Sequence, residues 1–375
     1  MSPRRRLRDY YRQFEALSPE EDSIRLRARR DEEKSVELAR VGDLDLSRDD
    51  LHEAPDPEVV NAATFALRRA LNRYPDPAVW RAREAVAAHH ELPVGRVALG
   101  HGAGQLLQAA LRELAAGGEA VLPWPSWSPL PALAARAGVR PVPVPLGAGG
   151  RVDFEALAGA VTAETRAVVL CSPNDPTGAL VGHDELGAFT AALRGSVTVL
   201  LDEALVELAA PGATCAPLLE ELANLLVFRS FSKGWAMAGL RGGYVIGSAG
   251  DEELLAYLTP GQGVAAPTQA AIAAALEDPE RAAAVLARRR RAVAAERERL
   301  EALLAGTPFS FGTSQTHHVW LRGGPGMSAS SIASGLAEQR VHVAPGSAWG
   351  DADHVRITLR DRPATERLAA ALTSL

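Results

Sequence analysis

Residues 225–235 read LLVFRSFSKGW, a short apolar run that breaks into two serines, a lysine and a glycine. An apolar run of this length bounded by turn residues fits a strand buried on both faces. The lysine is the odd element. Of the chain's 40 lysines and arginines only two are lysine, Lys34 in a charged N-terminal run and Lys233 here. Arginine serves wherever a charge alone is needed. It cannot serve where an amine must lose its proton and attack a carbonyl. Lys233 is therefore either a residual surface charge or a Schiff-base lysine, and its neighbours decide between them.

The same pattern recurs at VALG (97–100), AVLPW (120–124), AVVLCSP (167–173), VTVLLDEA (197–204) and GGYVIG (242–247). Amphipathic stretches such as GQLLQAALREL (104–114) and HDELGAFTAALRG (183–195) lie between them. This alternation predicts an α/β fold, a mostly parallel central sheet flanked by helices on both faces. Functional residues should then collect at strand carboxyl ends. Residues 281–304 predict a long connecting helix whose arginines are interspersed with glutamates. The later runs HHVWL, VHVAPG and HVRITL, with helices between and after, predict a smaller α+β domain. The expected organisation is a charge-rich helix or arm over residues 1–45, a large α/β domain over 46–280 and a small discontinuous domain completed by 281–375.

A formal net charge of −6 on 375 residues gives no electrostatic case for nucleic acid or an anionic membrane. No stretch has the length and apolarity of a membrane span. The basic N-terminus lacks the apolar core of a secretory signal. Cys171 and Cys215 form no metal or redox spacing and read as buried thiols, which suits the cytoplasm. His317 and His318 are adjacent on an expected strand, so their side chains should point to opposite faces, and no metal site is expected.

Three strand ends carry chemistry. CSPNDPTG (171–178) stops one strand in a polar turn, VTVLLDEA delivers Asp202 and Glu203, and the opening stretch delivers Ser230, Ser232 and Lys233, with Arg241 soon after. The hydroxyls, the arginine and the glycine-rich turn GHGAGQ (100–105) opening a helix suit a phosphate. GHGAGQ is not a dinucleotide fingerprint, because Gln105 stands at its sixth position. A phosphate site, a Schiff-base lysine and a buried acid are what pyridoxal 5'-phosphate needs.

From about Pro55 onward the chain resembles the class I/II aminotransferases of fold type I, nearest their histidinol-phosphate aminotransferase-like branch. The resemblance rests on SFSK…GLRGGY, DEA, PNDPTG and VRITL, which are specific jointly. It implies a homodimeric pyridoxal-phosphate enzyme acting on an α-amino acid, a small-molecule substrate, with transamination to a 2-oxo acid the first expectation. Decarboxylation, β-elimination or oxidative deamination in specialised metabolism is the alternative. It implies Lys233 as the attachment lysine, with Asp202 on the pyridine nitrogen. Ser230, Ser232, Arg241 and the Ala103–Gly104 backbone would hold the phosphate. It further implies Trp127 stacked on the ring, Tyr74 reaching the neighbouring subunit's phosphate, and Arg356 on the substrate α-carboxylate.

The chain also departs from its family. Asp175 stands where an asparagine usually donates to the cofactor's phenolic oxygen, and an ionised aspartate cannot donate. Leu205 replaces the tyrosine that usually shares that task. Altered cofactor electronics follow, unless Asp175 is protonated or Asn174 turns inward. The substrate loop SRDDLHEAPDP (47–57) is crowded with charge, which suits either a solvated loop or a polar or cationic substrate. VAPGSAWG (343–350) lacks the arginine that relatives use for a substrate phosphate, so histidinol phosphate is not the expected substrate.

Overall fold

The computed structural model describes residues 42–375. The helix or arm expected over residues 1–45 lies outside them except for its final residues. Seven strands form the large sheet: β1 (Val97–Gly100), β2 (Glu119–Trp124), β3 (Arg140–Pro145), β4 (Thr165–Cys171), β5 (Thr198–Asp202), β6 (Leu225–Ser230) and β7 (Gly243–Gly247). Their order is β1-β7-β6-β5-β4-β2-β3. Only β7 runs antiparallel to its neighbours. The sheet is therefore mostly parallel, as the strand–helix alternation predicts.

Burial on both faces follows from strand alternation. Val168, Leu170, Val199, Leu201 and Val227 enter one core, while Ala167, Val169, Leu200, Leu226 and Phe228 enter the other. Each such leucine or valine contributes about 1.5–3 kcal/mol by leaving water. Strand β3 (RPVPVP) was not legible as a strand, because proline normally argues against one. It lies at the sheet edge. Arg140 and Leu146 donate their N–H groups to Gly118 and Trp124 of the neighbouring chain segment. The prolines occupy the alternate positions, 141, 143 and 145, whose N–H would point outward. They remove only unused donors and leave an edge that resists further pairing.

The small domain is built on a four-stranded antiparallel sheet, Ala344–Pro345, His354–Thr358, His318–Arg322 and Ser310–Phe311. Its core joins Val319, Leu321, Val355 and Ile357 to Ile332, Leu336, Leu368 and Leu372 of two helices. Leu44 and Leu46 belong to the same core. Thr358 N–H donates to the Leu46 carbonyl at 2.9 Å. This pairing fixes where the next residues, Ser47–Asp50, must run, and they run into the cleft between the two sheets.

Like the segment that follows Leu46, the long helix Pro279–Leu304 links the two parts. Asp278 caps it by accepting from Arg281 N–H, with proline at its first position. The helix is not solvated all round. Arg289 is 1% exposed, and its Nη1 and Nη2 donate to the carbonyls of Gly234 (2.8 Å) and Ala54 (2.7 Å). It thus ties the segment before the large domain to the residue after Lys233. Arg289→Leu leaves both carbonyls without their buried donor and takes one of two cations from Glu53, which keeps Arg288 at 2.9 Å. We expect a loss of about 3–5 kcal/mol, measured by urea unfolding; an unchanged midpoint would refute this tie. His90 has Nε2 2.8 Å from the Tyr244 hydroxyl, and burial lowers its pKa to about 3.

Candidate active site

The parallel strands β4, β5 and β6 all end at one edge, and a cleft opens there. A cleft beyond strand carboxyl ends is where an open α/β sheet places a ligand. Lys233, Asp202, Ser230, Ser232, Arg241, Trp127, Asp175 and the Ala103–Gly104 turn all line it.

At one end the helix Ala103–Ala115 begins after Gly102, whose φ of +89° a side chain rarely tolerates. A Cβ on Gly102 would lie 2.7 Å from Arg241 Nη2. A Cβ on Gly104 would lie 2.8 Å from Cη2 of Trp127. Both glycines therefore permit a close approach. Arg241 Nη1 donates to the Ser232 hydroxyl at 3.1 Å, and the Ser230 hydroxyl accepts from Ser232 N–H at 3.1 Å. A helix N-terminus, two hydroxyls and a guanidinium converge here, which is a complete donor set for a phosphate.

In the middle of the cleft, Asp202 ends β5. Its carboxylate accepts from Ala204 N–H at 2.9 Å, yet burial pushes it up to about 6. Behind it Glu203 accepts from Cys215 N–H (2.6 Å) and Thr214 Oγ1 (2.8 Å) and forms an ion pair with Arg229, whose Nε lies 2.8 Å away. Arg229 also reaches Glu207 at 3.0 Å. Glu203 is thus fully engaged in bracing the strand ends. Cys171 and Cys215 are buried free thiols, and burial raises both.

Lys233 Nζ donates to both the carboxylate and the carbonyl of Asp49. Burial opposes ionisation of Asp49, but the charges of His318 and Lys233 hold its carboxyl well below the usual range. The substrate loop therefore sends a carboxylate into the cleft, which sequence alone did not single out among Asp49, Asp50 and Glu53.

The histidine pair requires a correction. The strand begins only at His318, so strand alternation does not govern His317. Both rings turn toward Asp49, with centroids 4.0 Å apart, and both residues are fully buried. His318 Nε2 lies 2.5 Å and His317 Nε2 3.5 Å from Asp49 Oδ1. His318 Nδ1 lies 4.0 Å from Asp175 Oδ1. None of the four ring nitrogens of the pair has a hydrogen-bond partner, so the contacts with the carboxylates are ion pairs only. Potential metal ligands on Asp49, His317 and His318 lie within 4.8 Å of one another. The Lys233 ammonium occupies this carboxylate.

Asp175 faces Arg356. Both its oxygens accept from Nη1 at 3.0 Å, while Nη2 donates to the Ser47 carbonyl at 3.1 Å. Arg356 also lies over the Trp349 ring at 5.1 Å. Asn174, named above as a cofactor contact, turns the other way. Its amide donates to the Pro125 carbonyl and Thr177 hydroxyl, both at 3.1 Å, and accepts from Ser126 Oγ at 2.9 Å. The side chain is committed to holding the turn and has no donor left for the cleft. Leu205 lines the cleft without a polar contact. Arg360 lies in a separate recess with Arg48, Asp50 and His52. Tyr74 does not line this cleft and is 93% exposed.

Comparison with known proteins shows the family and the fold. The sequence profile of the family described as aminotransferase class I and II matches residues 42–372. An aromatic amino acid aminotransferase of Rhodococcus opacus is 35% identical over 89% of this chain and 90% of its own. A histidinol-phosphate aminotransferase structure from Sinorhizobium meliloti, in complex with pyridoxal-5'-phosphate, superimposes with a TM-score of 0.78. It is 26% identical, covering 92% of this chain and 93% of its own. A double mutant of Thermus thermophilus aspartate aminotransferase gives 0.80 at 25% identity, over 96% and 99%. The chain belongs to the class I and II aminotransferases, and is an enzyme of amino-acid transamination on the fold type I scaffold.

Proposed function

We propose that the chain holds pyridoxal 5'-phosphate in this cleft, attached through Lys233, and transfers an amino group from an L-amino acid to a 2-oxo acid. The observation that carries the reading is Lys233 itself, one of two lysines in the chain, placed beside a buried carboxylate and a helix N-terminus. Two further observations support the fit. Gly102 and Gly104 keep open a cradle that a Cβ would fill. Asp202 is a buried acid without a cationic partner in contact, and a protonated ring nitrogen would supply one.

In this reading Ser230, Ser232, Arg241 and the amides of Ala103 and Gly104 hold the phosphate. Trp127 lies against the ring, and Asp202 keeps the ring nitrogen protonated. The bound cofactor supplies an electron sink for the α-carbon. Lys233, freed from Asp49, moves the α-proton. Arg356 orients the substrate carboxylate through N–H groups not already given to Asp175 and Ser47, its buried Nε among them.

We infer a homodimer as well. Phe65, Leu71 and Tyr74 are 61%, 81% and 93% exposed on and just after the helix Pro57–Ala70, an apolar stripe that suits a partner surface. A cytoplasmic setting is supported by the two free thiols. Among the described residues no helix is long and apolar enough to cross a membrane.

The test is direct. Purified protein, loaded with pyridoxal 5'-phosphate and freed of excess, should show a visible absorption band. Borohydride reduction should fix the added mass on the peptide containing Lys233. An L-amino acid should remove the band and a 2-oxo acid restore it. No band after loading, or an adduct elsewhere, would overturn the assignment.

A further inference from the structure

We propose that the substrate is an amino acid whose side chain ends in a cation, an ammonium or guanidinium, bound between Asp49 and Asp175. The proposal rests on the reading of the cleft just given.

The argument is a count of charges facing the substrate half of the cleft. Two carboxylates are there, Asp49 and Asp175, both lining the cleft. Lys233 and Arg356 answer them, the first on Asp49 and the second on both oxygens of Asp175, with His318 between the two carboxylates. In the working enzyme Lys233 is attached to the cofactor or, once freed, is the neutral amine that takes the α-proton, so it no longer offers its ammonium to Asp49. The substrate brings a carboxylate of its own, which draws on Arg356. Three carboxylates then share Arg356 and His318. A carboxylate without a cation is costly in a cleft that excludes water. A neutral side chain leaves that deficit in place, and an anionic one deepens it. A cationic side chain removes it.

A second observation points to the same place. His317 and His318 are fully buried and pack against Asp49, and none of their four ring nitrogens makes a hydrogen bond, though three lie in ion-pair range of Asp49 or Asp175. Buried polar atoms are rarely left unmatched, and those that are mark a missing ligand or a functional role. His318 stands between the two carboxylates, with one nitrogen toward each. Burial holds His317 well below its ordinary range, so it is neutral and has a lone pair to offer. Carboxylates and a neutral imidazole are acceptors, and a guanidinium or ammonium presents only donors. The substitution of Asp175 for a neutral amide and the charged loop carrying Asp49 thus become parts of one subsite.

The experiment uses the cofactor-loaded enzyme with pairs matched in length: L-ornithine against L-norvaline, and L-arginine against L-citrulline. L-Phenylalanine and L-glutamate complete the panel. The expected result is a kcat/KM about 100-fold higher for the cationic member of at least one pair, shrinking as salt is raised. Equal or better turnover of the neutral members or of phenylalanine overturns this proposal and leaves transamination standing. Turnover of no amino acid, with cofactor bound, overturns the underlying reading and this proposal with it. In Asp49→Asn the preference should narrow about tenfold, through KM more than kcat. An unchanged preference in that variant, shown folded by its thermal midpoint, removes Asp49 from the subsite.

Discussion

Lys233→Arg is expected to lower transamination by at least about 10⁴-fold, as loss of an obligatory covalent residue does elsewhere. The substitution is chosen to separate charge from chemistry. An arginine keeps a cation beside Asp49, so the buried carboxylate keeps its partner and the cofactor-free protein should melt near the parent temperature. It keeps a long, donor-bearing side chain beside the cofactor as well. What it lacks is an amine that can lose its proton and attack a carbonyl. The variant should still take up the cofactor, because the phosphate cradle is untouched, but should release it on dialysis and show no borohydride-fixed adduct. Kinetics, equilibrium dialysis and peptide mass together check this. Activity within tenfold of the parent would mean that Lys233 is only a counter-ion to Asp49.

Why so much of the site could be read from the sequence, and Asp49 could not, has a physical reason. Asp202, Ser230 and Lys233 sit at the ends of buried parallel strands. Strand period and turn chemistry dictate both their position and their direction. Once the sheet is inferred, the cleft follows. Trp127 and the Gly102–Gly104 turn are equally constrained, because a positive φ and a ring packed 2.8 Å from a potential Cβ leave little freedom. Asp49 belongs to no such element. It reaches the cleft because Leu44 and Leu46 are buried in the small domain and Leu46 pairs with Thr358. No local pattern encodes that anchoring. The histidine pair was misjudged because the strand starts one residue later than the apolar pattern suggests, and a single residue decides the facing of a side chain. Strand β3 was hidden for the opposite reason: its prolines are strand breakers everywhere except along an edge. Asn174 and Asp175 show the limit of resemblance. Adjacent residues of one turn exchange roles according to which finds partners, and Asn174 finds three, Thr177 within the turn and Pro125 and Ser126 beside it.

Asp202→Asn should act in opposite directions on stability and on function. In the cofactor-free protein burial raises Asp202 from 3.8 to about 6, so the folded chain holds a proton more tightly than the unfolded chain does. Between roughly pH 4 and 6 the unfolded chain has lost that proton and the folded chain has not. Stability from this group therefore falls as pH rises through that window and stays reduced above it. The shift corresponds to about 3 kcal/mol. Asparagine has nearly the same shape, can still accept from Ala204 N–H, and carries no charge to bury. The cofactor-free variant should be more stable than the parent by up to about 3 kcal/mol at pH 8, with the difference vanishing near pH 4. Adding the cofactor should reverse the ranking. The parent gains a buried ion pair between carboxylate and protonated ring nitrogen, and with it the stabilisation that ligand binding confers. The variant loses that partner, so its cofactor binds more weakly and turnover falls on the order of 10³-fold. Urea unfolding at the two pH values, with and without cofactor, reads all four states. A variant no more stable than the parent at pH 8 would show that Asp202 is not strained by burial. A variant that keeps its activity would show that the ring nitrogen does not depend on Asp202.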